Sequence, residues 1–162
     1  MNKTEFLATQ LPYGLKCVIA KNFLESVFTY DAGAYYSEFV KNGLKSIPII
    51  RPLDSLVKEC VQADYNGGKP FVPALELIKL EEKYNKWKDP APTIPYDIEI
   101  IQKPFGKVLK VSKLGEWVVY LSLSEMERAK WYVIQQLLKW HFWPNMPEGE
   151  EVIWVTSEFN PY

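Results

Sequence analysis

The chain has 162 residues, of which 48% are hydrophobic and 24% are charged, and its formal net charge is −1. This size predicts one globular domain with an ample core, and the near-zero charge excludes an overall electrostatic attraction to nucleic acid or to an anionic membrane. Two cysteines are too few for a disulfide framework, and no apolar run reaches the ~20 residues that cross a bilayer. The first residues also lack the apolar core of a signal peptide, so we expect free thiols and a cytoplasmic protein.

The N-terminal third is predicted to hold one short helix and short strands. Residues 4–10 are assigned to the helix, and the β-rich runs at residues 15–21 and 25–31 are assigned to two strands. A further apolar run at residues 46–51 contains Pro48, which has no N–H to donate to a neighbouring strand. We therefore predict an edge or end position for this third strand.

The middle of the chain carries two helix signals and one linker signal. Asp54 can cap a short helix that runs through Val61. Pro73 suits the first turn of a second helix, which is amphipathic because it carries one apolar stripe at helical spacing, namely Leu77, Leu80, Tyr84 and Trp87. Residues 89–95 contain three prolines. This linker-like segment is the place where the single predicted domain could divide into two lobes.

Beyond that segment the hydrophobic period changes to two, which is typical of strands. Residues 97–103, 107–112 and 116–123 are predicted to form an antiparallel meander with short turns. Residues 151–156 are predicted to add a closing strand to it.

The segment from residue 121 to residue 143 is the most strongly patterned part of the chain. Ser124 and Glu127 have the spacing of a capping box, and neither Gly nor Pro follows until Pro144, which must end a helix. Apolar residues cover most of the helix circumference, so burial against several neighbours is expected. The predicted fold class is therefore α+β, a mostly antiparallel meander packed on one long buried helix plus one amphipathic helix.

Three short segments carry a family resemblance. Residues 11–16 (LPYGLK), 48–53 (PIIRPL) and 71–73 (FVP) resemble small uncharacterised proteins of Bacteroidetes phages and prophages, and residues 139–142 are similar in character. In that group Ser-Asp-Leu-Thr follows the Arg-Pro-Leu, whereas this chain has Asp-Ser-Leu-Val at residues 54–57. The resemblance implies a phage or prophage origin and an intracellular site of action in the bacterial host. It implies no activity and transfers no functional residue.

His141 is the only histidine, and it is the one residue on which an enzyme hypothesis can be built. A small hydrolase or transferase would pair it with Cys17 or with a carboxylate. A histidine near a helix C-terminus and between two aromatic residues is more typical of a packed position, and a cysteine within an apolar strand, such as Cys17, or on an apolar helix face, such as Cys60, behaves as a small hydrophobe. We therefore assign no catalytic, cofactor-binding or metal-binding residue and expect no cofactor.

Charged clusters are interpreted as solvated surface. The acidic ones are Glu76, Glu81 and Glu82, and Glu148, Glu150 and Glu151. A nucleic-acid-binding module is a second alternative function, and its only candidate residues are the lysines of the meander, Lys103, Lys107, Lys110 and Lys113.

Large aromatic residues are concentrated at the C-terminal end. Trp140, Phe142, Trp143, Trp154 and Phe159 either complete the core or form a surface for a protein partner. The acidic residues among them disfavour nucleic acid. The leading hypothesis is a non-enzymatic phage or prophage accessory protein that binds an unidentified host or phage protein, and an exposed edge strand could also support a homodimer.

Overall fold

The computed structural model describes residues 2–10, 12–19, 27–29, 46–85, 97–104, 106–113, 117–124 and 130–162. The chain divides into two compact units, which are residues 1–52 with 137–161, and residues 53–136 with 162. The proline-rich segment at residues 89–95 lies outside the described residues, so the lobe division predicted there stays a prediction.

The described residues form α-helices and strands in the mixed order of an α+β protein, as predicted. The helices are α1 (Lys3–Thr9), α2 (Pro73–Asn85) and α3 (Trp131–Lys139). The strands are β1 (Lys16–Ile19), β2 (Val27–Thr29), β3 (Ser46–Ile50), β4 (Asp97–Lys103), β5 (Gly106–Lys113), β6 (Trp117–Ser122) and β7 (Ile153–Trp154). Two 3₁₀ helices cover Leu53–Val57 and Asn66–Gly68.

The first unit contains a four-stranded sheet in the order β2-β1-β3-β7. Only β3 and β7 run parallel. The prediction that Pro48 places its strand at an edge is wrong, because β3 lies between β1 and β7. The pairing register supplies the reason. Residues 46–48 of β3 pair with β1, and Ile49 and Ile50 pair with β7, so the proline precedes the part of β3 that pairs with β7.

Helix α1 begins at a complete capping box. The Asn2 side chain accepts from the Glu5 N–H, and the Glu5 carboxylate accepts from the Asn2 N–H. The helix buries Phe6 and Leu7. Phe6 stacks face to face on Trp143 with 4.3 Å between the ring centroids.

The second unit contains the predicted meander. Strands β4, β5 and β6 pair antiparallel in sequence order. The predicted closing strand is present as β7, but it pairs with β3 in the first unit and not with the meander. The helix predicted from Asp54 to Val61 ends at Val57, because the backbone of Cys60 pairs with that of Phe71 in both directions.

The long buried helix is not found among the described residues. Strand β6 continues to Ser122, residues 125–129 lie outside the described ranges, and α3 begins at Trp131. Its end precedes Pro144 because His141 adopts the left-handed conformation, with φ of +64°. The Phe142 N–H then donates to the Leu137 carbonyl and the His141 N–H to the Leu138 carbonyl, which is the Schellman termination.

Both units bury apolar residues. In the first unit the buried apolar residues are Phe6, Leu7, Leu15, Cys17, Ile47, Ile49, Ile50, Leu137, Leu138, Trp140, Phe142 and Trp143. In the second they are Leu56, Phe71, Ala74, Leu77, Ile78, Val108, Leu109, Val111, Leu121, Leu123, Tyr132, Val133 and Ile134. Among the described residues, no helix has the length and apolarity that a membrane crossing would require.

Gly106 is predicted to tolerate no side chain. Its φ is +135°, and a Cβ built there would lie 2.7 Å from the Ser124 Cβ. Gly106→Ala should therefore lower the free energy of unfolding by about 1–3 kcal/mol, which urea denaturation can measure. Gly67→Ala is the control, because Gly67 also has a positive φ but nothing within 4 Å of its Cβ position. If the two variants lose the same stability, the close approach of Ser124 has no energetic role.

Candidate functional site

An exposed group of aromatic rings lies where the last turn of α2 meets the first turn of α3. Trp131 is 64% exposed and Tyr84 is 43% exposed, whereas Tyr132 is buried. Tyr84 and Tyr132 stack with 4.3 Å between centroids, and the Trp131 ring stands nearly perpendicular to both tyrosine rings. Trp131, Tyr84 and Tyr132 are called the aromatic patch below.

The buried carboxylate of Glu81 is hydrogen-bonded to the Tyr132 hydroxyl of this patch. The Tyr132 hydroxyl donates to Glu81 Oε2 at 2.8 Å, and the Lys130 ammonium and the Asn85 amide both contact Glu81 Oε1. Asn85 also donates to the Tyr132 hydroxyl at 3.1 Å. Glu81 lies on the inner side of α2 because it follows the fully buried Leu77 by four residues. The network holds the side chains of Lys130 and Tyr132, which precede and follow the exposed tryptophan.

The pKa values of Tyr132 and Lys130 are both raised in this network. Burial and the hydrogen bond to Glu81 raise the pKa of Tyr132. Burial lowers the pKa of Lys130, but the hydrogen bond to Glu81 and its charge outweigh burial, so the net shift is upward. At neutral pH Tyr132 therefore remains a hydroxyl donor and Lys130 remains an ammonium.

Two ammonium groups lie beside the patch. Lys83 Nζ is 5.6 Å from the Tyr84 ring centroid, and the Lys130 side chain is partly exposed beyond its ion pair with Glu81. Exposed rings and ammonium groups together offer both apolar contact and attraction to negative charge.

His141 lies in a separate, buried polar cluster in the first unit. Its Nδ1 is 3.1 Å from Gln10 Oε1, and Gln10 Nε2 donates to the Leu138 carbonyl. Because the amide nitrogen faces that carbonyl, the amide oxygen faces the ring, and Nδ1 must carry the proton. Arg51 donates from Nε to the Trp140 carbonyl and from its backbone N–H to the His141 carbonyl. A cation and an amide thus satisfy the carbonyls at the C-terminus of α3.

The charge state of His141 follows from these surroundings. Burial, with the positive charges of Arg51 and Lys16, lowers the pKa of His141 from 6.5 to about 3. The ring is neutral at physiological pH and only 2% of the residue is exposed. Cys17, its candidate partner in the enzyme hypothesis, is also fully buried. Neither side chain is accessible to solvent, so the arrangement gives the enzyme hypothesis no support, and His141 is a packed residue as predicted.

The five residues predicted as a partner surface fall into two groups. Trp140, Phe142 and Trp143 are buried in the first unit, so the core interpretation describes them and the surface interpretation does not. Trp154 and Phe159 are 42% and 38% exposed. These two remain available to a partner, and neither belongs to the aromatic patch.

Sequence reasoning missed the residues of the patch. Glu81 was predicted to be solvated, but it is buried. Its spacing of four residues from Leu77 was the available signal, because that places it on the apolar stripe. Trp131 falls within the segment that was predicted to be a helix buried against several neighbours, but it is the first residue of α3 and is exposed. Arg51 and Gln10 belong to no functional sequence motif, so their roles at the end of α3 could not be predicted.

Several of the other charged residues named above lie on the surface, and the Lys113 side chain lies outside what the structure describes. Glu148 and Glu151 are exposed, and Glu150 is partly exposed. Lys107 pairs with Asp54 at 3.1 Å. Within the described ranges, no three His, Cys, Asp or Glu side chains come together as a metal-binding group.

No protein-family model matches the chain, and no curated protein and no solved structure is significantly similar to it.

Proposed function

We propose that this protein acts by binding another protein, without catalysing a reaction, and that the aromatic patch is its principal contact surface. The observation that carries the proposal is the exposure of Trp131 on a rigid support. Its ring contacts Tyr84 and Tyr132, and the Tyr132 hydroxyl is held by the buried Glu81. A large aromatic side chain held in one orientation loses little conformational freedom on binding.

The residue types of the patch favour a protein partner. Tryptophan and tyrosine are enriched among the residues that contribute most of the free energy of protein–protein binding. Exposed aromatic groups that contact one another are also more informative than single exposed apolar residues, which are common on any protein. Trp131 is the most exposed large hydrophobic residue of the described chain.

The charges beside the patch indicate what the partner should present. Lys83 and Lys130 place ammonium groups next to the rings. We therefore expect an apolar side chain that packs on Trp131 and acidic side chains that meet the two lysines. A phage or prophage origin and a host or phage protein as the partner remain proposals that rest on the motif resemblance.

The test compares capture by the wild-type chain with capture by two matched tryptophan variants. Tagged protein would be incubated with nuclease-treated bacterial host lysate, and each captured protein would be purified and its Kd measured directly. Trp131→Ala should weaken a genuine interaction roughly 30-fold or more, the effect of losing a hot-spot residue. Trp154→Ala is the control, because it removes the other exposed tryptophan of the described chain and should leave the Kd unchanged.

The alternatives give different results. Loss of binding in Trp154→Ala, with Trp131→Ala unaffected, would place the contact surface on Trp154 and Phe159. Capture from an untreated lysate that is absent from the nuclease-treated lysate would indicate a nucleic-acid-binding module. A captured protein whose Kd neither variant changes would contradict the proposed surface.

A further inference from the structure

Strand β6 is an edge of the three-stranded sheet, and the backbone groups that face outward along it can be identified. The Leu123 N–H donates to the Lys107 carbonyl at 3.0 Å, in the same register that sets Ser122 opposite Val108. Hydrogen-bonded and non-hydrogen-bonded pairs alternate along an antiparallel ladder. Val118, Tyr120 and Ser122 are therefore the residues of β6 that turn their N–H and C=O groups away from β5.

The sequence of β6 lacks the charged residues and prolines that usually protect an edge strand. Among the residues that the structure describes, no further strand pairs with it. Residues 117–122 (WVVYLS) contain no charge, no proline and no glycine. Natural edge strands commonly carry charges or proline that block further pairing. The opposite edge does so, because β4 carries Asp97, Glu99 and Lys103.

The side chains of β6 determine which residues a pairing strand could place beside them. Val118 is 41% exposed and Tyr120 is 59% exposed, and both point to one face because they are two residues apart. Leu121 points to the other face and is buried. A strand that pairs with this edge would therefore need an apolar or aromatic residue beside Tyr120 and no charge opposite Val118.

We propose that β6 pairs antiparallel with β6 of a second copy of this chain, across a two-fold axis at Tyr120, to join the two meanders into one continuous sheet. This register sets Tyr120 opposite Tyr120 of the second copy and Val118 opposite Ser122. Each outward-facing residue then meets another outward-facing residue, so each pair can exchange two backbone hydrogen bonds.

The second copy fits this edge because β6 is complementary to itself. The two-fold axis keeps the exposed face of one sheet continuous with the exposed face of the other, and the two Tyr120 rings become cross-strand neighbours. No like charges oppose each other, since β6 has none. The pairing uses the β6 edge of both copies, so assembly stops at two chains.

Sedimentation equilibrium of the full chain tests this proposal. The wild type should approach the mass of two 18.9 kDa chains as its concentration rises. Tyr120→Glu should weaken the dimer at least about tenfold, because two carboxylates would then oppose each other at the axis. The variant is compatible with the monomer, since position 120 lies opposite Lys110 within the sheet.

The matched control is Gln102→Glu, which adds the same charge to the exposed opposite edge strand beside Lys107 and should leave the dimer unchanged. Hydrogen exchange supplies an independent readout. The amide protons of Val118, Tyr120 and Ser122 should become protected as concentration rises, whereas that of Leu121, already bonded to β5, should be protected throughout.

Several results would overturn the pairing. They are a monomer at every concentration, an open-ended assembly, a dimer that Tyr120→Glu leaves intact, and a dimer that Gln102→Glu dissociates. The proposed function is tested separately, because Trp131→Ala should leave the dimer intact.

Discussion

Acidification from about pH 7 to about pH 4 should lower the free energy of unfolding by about 3 kcal/mol through His141 alone. The folded-state pKa of this residue is lowered from 6.5 to about 3, so below pH 6.5 the unfolded chain binds a proton that the folded chain does not. The contribution of His141 is therefore complete above pH 6.5 and is lost as the pH falls towards 3. The physical cause is a ring buried beside two positive charges, those of Arg51 and Lys16.

Urea denaturation at several pH values would measure this loss, and His141→Asn is the matched control. Asparagine does not titrate, and it tolerates the left-handed φ of +64° at this position better than most residues. We expect the variant to be less stable than the wild type at neutral pH, because buried volume is lost. Its further loss in acid should be about 3 kcal/mol smaller. Equal acid losses in the two proteins would contradict the buried, neutral state of His141.

Phe142→Ala should destabilise the first unit by roughly 3–5 kcal/mol. Phe142 is fully buried, and its backbone N–H closes the C-terminus of α3. The substitution leaves that backbone bond in place but removes a whole ring from a packed interior. The urea midpoint should fall while the dependence of unfolding free energy on urea stays unchanged.

Trp154→Ala is the comparison for this experiment, because the side chain is partly exposed. It should change the free energy of unfolding by about 0.5 kcal/mol or less. The pair of variants separates the two roles that the C-terminal aromatic residues could have had. A small effect of Phe142→Ala, close to that of Trp154→Ala, would mean that Phe142 is not part of the core.

The aromatic residues show why the candidate site could be predicted only in part. The C-terminal cluster was recognised, but its division into buried and exposed members was not, because one-dimensional spacing does not say which neighbours cover a ring. Trp131 and Tyr84 lie 47 positions apart in the sequence, and only the packing of α2 against α3 brings their rings to 5.4 Å. The burial of Glu81 could not be predicted for the same reason, since its partner Lys130 lies 49 positions away in the sequence.

The sequence by itself determined the local elements of this protein. Alternating hydrophobicity placed β4, β5 and β6, and the apolar stripe after Pro73 placed α2, because period and turn residues act over a few neighbouring positions. The sequence also established the α+β class.

Only the tertiary structure decided which strands pair and where helix α3 ends. It placed β3 inside its sheet despite Pro48 and joined β7 to β3 instead of the meander. It also ended α3 at Lys139, where Gln10 donates to the Leu138 carbonyl of the last turn and Arg51 donates to the Trp140 carbonyl just beyond it. The pairing of β7 with β3 and the end of α3 depend on hydrogen-bond partners about 90 or more residues away, which no local pattern records.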